Sequence, residues 1–326
     1  MTRIKALVLF LRVSLAVPVF LFGEAAVAME FGHYLPGGTS LRDFIMPLPG
    51  IYFEQFNMFY TSGSFMGQNG KKIKELGSDA VFNYLGYAVA GGGDFEMRGV
   101  QYSTSPTFAM VSGIGPTGLK YGLAVAPAFG YVKGKLKIGE TEVEQSDAGL
   151  GDLYVQPAWL GWGSDHSDIM LGYGFFAPTG RYDDDRLANM GMGFWSHEII
   201  LTVAGYADKG QDTAVVINAT YEFNSEKGET NVRPGDALSL EYGVSHMFTK
   251  AFGVDLAGYS LWQVTADKGA GVDYDDVRDF TNAAGCEINY SMFNGKLTLS
   301  FRYMYEYAVR ERMRGQMFVF NAGYSF

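Results

Sequence analysis

From Ile51 onward, large apolar side chains occupy alternate positions in stretches of ten to fourteen residues, each separated from the next by turn-forming residues. A period of two belongs to an extended strand whose two faces meet different surroundings, and it does not fit a helix. Twelve stretches qualify as strands: 51–62, 100–113, 121–133, 150–162, 168–177, 195–206, 212–223, 236–248, 252–264, 280–292, 296–307 and 316–326. Each has about the length a tilted strand needs to cross a bilayer, roughly 9–11 residues. Over 296–307, Leu297, Leu299, Phe301, Tyr303, Tyr305 and Tyr307 oppose Thr298, Ser300, Arg302, Met304 and Glu306. In the last stretch Phe318, Phe320, Ala322, Tyr324 and Phe326 share one face, against Val319, Asn321, Gly323 and Ser325. Stretch 51–62 alternates poorly and 100–113 only moderately.

The connections alternate long and short. Residues 63–99, 134–149, 178–194, 224–235 and 265–279 are long, while 114–120, 163–167, 207–211, 249–251 and 293–295 are short, and 308–315 is intermediate. Bacterial outer-membrane barrels combine an even strand count, short periplasmic turns and long outer loops. A β-sandwich has no reason to sort its loops this way. The expected fold is therefore all-β: an antiparallel transmembrane up-and-down β-barrel of twelve strands with a long first outer loop, 63–99. That loop is too long to be bare, which suggests a lid, a plug or an extra hairpin arm.

Composition narrows the setting. Charged residues are 18% of the 326 and aromatics 15%, with 25 Phe, 21 Tyr and 43 Gly, whereas soluble chains carry roughly 25% charge. Beyond the N-terminus no run of about 18 apolar residues occurs, which excludes a helical membrane protein. Arg3 and Lys5, an apolar run and Ala26-Val27-Ala28 form the pattern of an export signal. The expected organisation is a signal peptide over 1–28 cleaved after Ala28, an irregular lead-in over 29–50 rich in Pro and Gly, and a single barrel over 51–326 in the bacterial outer membrane. The net charge is −10, and removing Arg3, Lys5, Arg12 and Glu24 (+2) leaves −12, which argues against nucleic acid as a partner. The one cysteine, Cys286, excludes an internal disulfide framework. The expected partners are outer-membrane lipid and lipopolysaccharide, small apolar solutes, and the barrel-assembly machinery. A chain ending on a strand with Tyr324 and Phe326 offers that machinery an aromatic assembly signal.

The sequence holds four histidines. Ser196-His197 and Ser245-His246 are adjacent pairs, and adjacent strand residues point to opposite faces, so neither forms a dyad. His33 falls in the lead-in and His166 in a periplasmic turn. No catalysis is expected. Asp183-Asp184-Asp185 and Asp273, Asp275 and Asp276 offer hard oxygen ligands, but without the spacing of a calcium loop. They read as solvated acidic loops, with no metal or cofactor expected.

Parity places Asp152, Tyr154, Gln156, Glu198, Glu241, Asp255, Gln263 and Arg302 in the lumen as solute-lining residues, together with Glu222, Glu287 and Glu306. Acids outnumber bases there, unlike a pore for anions. Eight strands leave an interior filled by side chains and about 16–18 leave an open channel, so twelve implies a narrow pore or an occluded site. Trp159, Trp162 and Trp195 near strand ends suggest an interfacial girdle.

His33-Tyr-Leu-Pro-Gly-Gly38, Pro47-Leu-Pro-Gly-Ile-Tyr-Phe53, Asp147-Ala-Gly-Leu-Gly-Asp-Leu-Tyr-Val-Gln-Pro-Ala-Trp-Leu-Gly-Trp162, Gly172-Tyr-Gly-Phe-Phe-Ala-Pro-Thr-Gly-Arg-Tyr-Asp183, Arg233-Pro-Gly-Asp236 and Trp262-Gln-Val-Thr265 follow one another in order. Together they resemble the outer-membrane family named for the meta-pathway of phenol degradation. The resemblance implies a barrel transporter associated with uptake of aromatic or other hydrophobic compounds, and carries no catalytic or ligand residues with it. The long 63–99 segment departs from the family pattern. The expected function is passive uptake of small hydrophobic or aromatic molecules. The alternatives are a structural or surface-interaction barrel with a closed lumen and, less favoured, a membrane-embedded hydrolase.

Overall fold

The computed structural model describes residues 32–76, 81–84, 87–90, 92–115, 118–228, 230–269 and 278–326. The proposed signal peptide and Asp273, Asp275 and Asp276 lie outside them. After a single 3₁₀ turn, Leu41–Phe44, the strands are β1 Gly50–Met66, β2 Glu75–Leu76, β3 Val81–Tyr84, β4 Tyr87–Ala90, β5 Gly93–Ile114, β6 Leu119–Ala126, β7 Phe129–Ile138, β8 Thr141–Leu150 and β9 Leu153–Gly163. There follow β10 Ser167–Ala177, β11 Ser196–Tyr206, β12 Thr213–Asn224, β13 Ala237–Met247, β14 Phe252–Gln263, β15 Phe280–Met292, β16 Leu297–Arg310 and β17 Arg312–Ser325.

Twelve of these, β1, β5, β6 and β9 to β17, form the antiparallel wall, each paired with its neighbour in chain order. The ring closes where β1 meets β17, with Tyr52 opposite Ser325 and Phe59 opposite Phe318, and the Phe326 N–H donates to Ile51 O at 3.0 Å. Closure removes the exposed edges an open sheet would leave. The burial pattern is inside-out relative to a soluble protein. On β11, Ile199, Leu201 and Val203 are about half exposed on the outer face, while Glu198 and Thr202 are buried in the lumen. An apolar belt of this kind needs lipid around it. The exposed Trp162 and Trp195 belong to that outer face.

The short turns lie at one rim. Phe293, Asn294 and Gly295 all take positive φ between β15 and β16, and Asp208 accepts the N–H groups of Asp212 and Thr213 between β11 and β12. Those backbone donors hold the Asp208 carboxyl below its ordinary range.

Several boundaries differ from the sequence reading. Stretch 121–133 breaks at Pro127-Ala128 into β6 and β7, and 134–149 is not a loop: β7 and β8 form a hairpin from Ile138 opposite Thr141 to Phe129 opposite Leu150. β5 is long enough to pair with both pieces, β6 through Phe108–Ile114 and β7 through Phe95–Thr104. Stretch 150–162 begins only at Leu153. The intermediate 308–315 loop collapses to a single turn residue, Glu311, with φ 51°. Within 63–99, β1 and β5 simply continue outward, with β2 on the β5 edge and β3 and β4 paired as a small hairpin. Their extensions carry Phe65, Phe95 and Met97, which pack with Leu136, Ile138 and Leu187 into a core above the wall.

Trp159 is a correction. It is buried in the lumen, not in the girdle. A bulge at Pro157, where the register against β10 slips between Tyr173 and Phe175, inverts the parity of the rest of β9. Asp152, Tyr154 and Gln156 point inward before the bulge, and Trp159 points inward after it.

Candidate functional site

The lumen is occupied by the chain's own lead-in. At the periplasmic rim the Arg42 guanidinium donates to the carbonyls of Gln211 at 3.2 Å and Asp212 at 2.8 Å, and Lys120 Nζ donates to Met46 O at 2.7 Å. From there the segment climbs to His33 in the outer half. Its lower part packs as an apolar core: Leu41 and Phe44 lie among Ala204, Ala214, Val216, Ala257 and Met317, and Met46 lies against Val111, Trp159 and Met170. Small inward side chains on the wall make this space. A Cβ on Gly243 would come within 2.5 Å of Leu41 Cδ1.

Its upper part is irregular, so its backbone N–H groups have no ladder to join. The wall answers with carboxylates. Glu222 accepts the N–H of His33 at 2.8 Å and of Tyr34 at 2.6 Å. Glu241 accepts the N–H of Gly37 at 2.7 Å and the Tyr34 hydroxyl. Glu287 accepts the Ser40 hydroxyl at 2.5 Å and Arg302 Nε at 2.5 Å, and Arg302 Nη1 donates to Gly37 O at 3.3 Å. Two glycines fit this close approach. A Cβ on Gly32 would displace the Glu222 carboxylate from the N–H groups it receives, while Gly37 has φ +96° with the Tyr259 ring 2.8 Å from where its Cβ would stand.

His33 stacks on Phe176 at 4.8 Å and meets the edge of Phe194 at 4.9 Å. Its Nδ1 is 2.6 Å from Ser196 Oγ and its Nε2 is 2.8 Å from Asp152 Oδ2. The trio has the composition of a hydrolase triad, but its protons are placed otherwise. Asn224 Nδ2 donates to Gly235 O at 3.0 Å, so its Oδ1 faces Ser196 and takes the hydroxyl proton at 2.6 Å. Ser196 Oγ therefore accepts from His33 Nδ1–H. Asp152 also accepts the N–H of Gly180 at 2.8 Å and of Met192 at 2.7 Å. A hydroxyl whose proton is directed to Asn224 and not to the ring is not an activated nucleophile. The arrangement is a latch that ties plug, wall and the 178–194 loop together.

His33, Tyr34 and Leu35 separate two cavities. The outer one, about 100 Å³, lies between the latch and Tyr60, Met190, Leu261, Gln263 and Arg312. The inner one, about 290 Å³, is walled by Phe56, Met58, Ala109, Trp159, Met170, Phe176 and Ile200, with Asp43, Glu54, Tyr154, Gln156 and Glu198 as its main polar groups.

The expected lumen residues thus divide. Tyr154, Gln156 and Glu198 face the inner cavity. Asp152, Glu241 and Arg302 hold the plug. Asp255 sits opposite Glu287 on the neighbouring strand and beside Ser245 and Asn289. Gln263 binds Asp267 at 2.6 Å and the Asp279 N–H at 3.2 Å at the outer rim. The lead-in residues His33, Tyr34, Gly37 and Ser40 were missed as part of the site. The signal that points to them is the surplus of inward carboxylates, which need donors. His197 and His246 bind Tyr173 and Thr213 at 2.9 Å each, away from the latch. In the Asp183 to Asp185 cluster, Asp183 Oδ1 is taken by the Asp185 N–H at 3.1 Å.

A closed twelve-strand wall with an apolar outer belt and an internal plug defines an outer-membrane β-barrel protein. The family described as "Putative MetA-pathway of phenol degradation" matches residues 78–322, and the chain belongs to it. Among solved structures it is similar to the COG4313 outer membrane channel from Pseudomonas putida F1, with TM-score 0.67 and 15% identity over 90% of this chain and 100% of that one. Weaker likenesses are to the translocator domain of the autotransporter NalP from Neisseria meningitidis, with TM-score 0.47 and 6% identity over 85% of this chain and 89% of that one. A mutant of the monoaromatic hydrocarbon channel TodX gives TM-score 0.41 and 10% identity over 86% and 91%. No curated protein matches the chain in sequence.

Proposed function

We propose that the protein is a passive outer-membrane channel for small hydrophobic or aromatic molecules, its lumen gated by its own N-terminal segment. The observation that carries this is the inner cavity, about 290 Å³ of mostly apolar wall enclosed within a membrane barrel. An internal void of that size lowers packing stability and serves a wall-building role poorly. The family and the similar Pseudomonas putida channel support the same reading. Tyr154, Gln156 and Glu198 contact the solute, and Asp152, Glu241 and Arg302 hold the gate. The Ser196 hydroxyl, bonded to Asn224 Oδ1, lends no support to the less favoured hydrolase reading. The 1–28 segment directs export and is cleaved after Ala28. Tyr324 and Phe326 present the closing strand to the assembly machinery, and the outer belt and loops meet lipid and lipopolysaccharide.

The plug itself favours the rival reading of a permanently closed structural barrel. Liposome swelling with toluene-sized and sugar-sized solutes separates the two. Uptake of the apolar solute by the intact protein, increased when residues 32–46 are removed, is the expected result. No uptake by either form overturns the channel.

A further inference from the structure

Three features of the inner cavity, taken together, fix the kind of molecule it accepts. The first is size. An engineered cavity of about 150 Å³ holds benzene, so about 290 Å³ takes one aromatic ring with a short arm. The second is the polarisable stretch of wall where Trp159 packs with Met170, suited to a ring face and to a cation over it. The third is the sign of the polar lining. Among the described lining residues no Lys or Arg occurs, and the one His, His33, is paired with Asp152. The charged groups that remain are all acidic, Glu198 beside the Tyr154 hydroxyl and Asp43 bonded to Glu54, and the rest of the polar lining is neutral, hydroxyls such as Ser103, Ser105 and Thr107 and the amides of Gln156 and Asn218. An aromatic carboxylate entering this space meets like charge with no cation to receive it, whereas a protonated amine meets Glu198.

We infer that the inner cavity is a binding site for single-ring aromatics bearing a short ammonium arm, with the ring against Trp159 and the ammonium directed to Glu198. The inference rests on the channel reading for its biological use but not for its existence. Binding can therefore be measured apart from transport.

The test titrates purified full-length protein in detergent, at neutral pH, with benzylamine, toluene and benzoate, using calorimetry and tryptophan fluorescence, Trp159 being a wall residue. Benzylamine is expected to bind about tenfold or more tighter than benzoate. Glu198→Gln should lower benzylamine affinity about tenfold relative to toluene affinity, with its folding checked by heat-modifiable migration on a gel. Gln156→Lys should reverse the preference toward benzoate, which a misfolded barrel would not do. Equal or tighter binding of benzoate by the unaltered protein overturns the inference, as does benzylamine affinity that survives Glu198→Gln. If the binding order holds but no solute crosses liposomes, the site stands and the channel reading falls. If toluene crosses without any binding preference, the channel stands and the site falls.

Discussion

At its periplasmic end the plug is held as a protein core is held, with Leu41, Phe44 and Met46 fitted between Ala204, Ala214, Ala257 and Trp159. At its outer end it is held by polar contacts, with Glu222 and Glu241 receiving N–H groups of His33 to Gly37 and Asp152 facing the His33 ring. Apolar contacts tolerate small displacements and lose free energy gradually, in proportion to area. A network of carboxylates bonded to one short segment behaves differently: broken at one member, it leaves buried charge unanswered. The outer end is thus the one that releases abruptly, and the periplasmic end is the one that keeps the segment within reach of redocking.

Removing 32–46 abolishes both holds and should give the largest effect, a stable open state with conductance well above that of the intact protein in planar bilayers. Unchanged conductance would mean that another segment seals the lumen. Arg302→Leu strips Glu287 of its cation and Gly37 O of its donor. Removing one partner of a buried ion pair costs about 3–5 kcal/mol, seen here as frequent full openings and faster proteolysis of the lead-in. Leu41→Ala acts on the apolar hold alone. It should cost about 2–5 kcal/mol and loosen the periplasmic end without freeing the outer end. The smallest effect belongs to the latch ring. His33→Gln removes the contact with Asp152 and the stack on Phe176 while the two backbone N–H groups stay on Glu222, and should raise the frequency of brief openings only modestly in planar bilayers. Full openings as frequent as those of Arg302→Leu would show that the ring carries the outer hold.

Much of the wall was legible in the sequence, because β10 to β17 see lipid on one face and polar lumen on the other. Leu297 to Tyr307 could be sorted by parity alone. Legibility failed where that condition failed. β1 alternates poorly because its inward residues Glu54, Phe56, Met58 and Tyr60 meet the plug and its cavity, which call for mixed chemistry. Its outward face carries Gln55 and Asn57, which bond Thr104 and Phe320 O. Trp159 was misplaced because one bulge shifts every later residue on its strand to the other face. The plug was invisible for a plainer reason. A segment with no ladder and only one 3₁₀ turn carries no sustained period, and its partners lie far away in the chain. The long 63–99 segment drew attention by its length, yet it extends the wall while the shorter lead-in fills the lumen.

Those distances along the chain have a kinetic meaning. His33 meets Glu222 across 189 positions, Gly37 meets Glu241 across 204, and Ser40 meets Ser300 across 260. Contacts so remote bear the full entropy of loop closure before they return anything. The same remoteness holds for β1 and β17, where Tyr52 meets Ser325. The lead-in has a further condition: its partners sit on β11, β12, β13, β15 and β16 together, so it can dock only when those strands have assembled a lumen to receive it. Folding in that order gives the new barrel an unplugged interval. Amide protection at His33, Tyr34 and Gly37 during refolding would time how long that interval lasts.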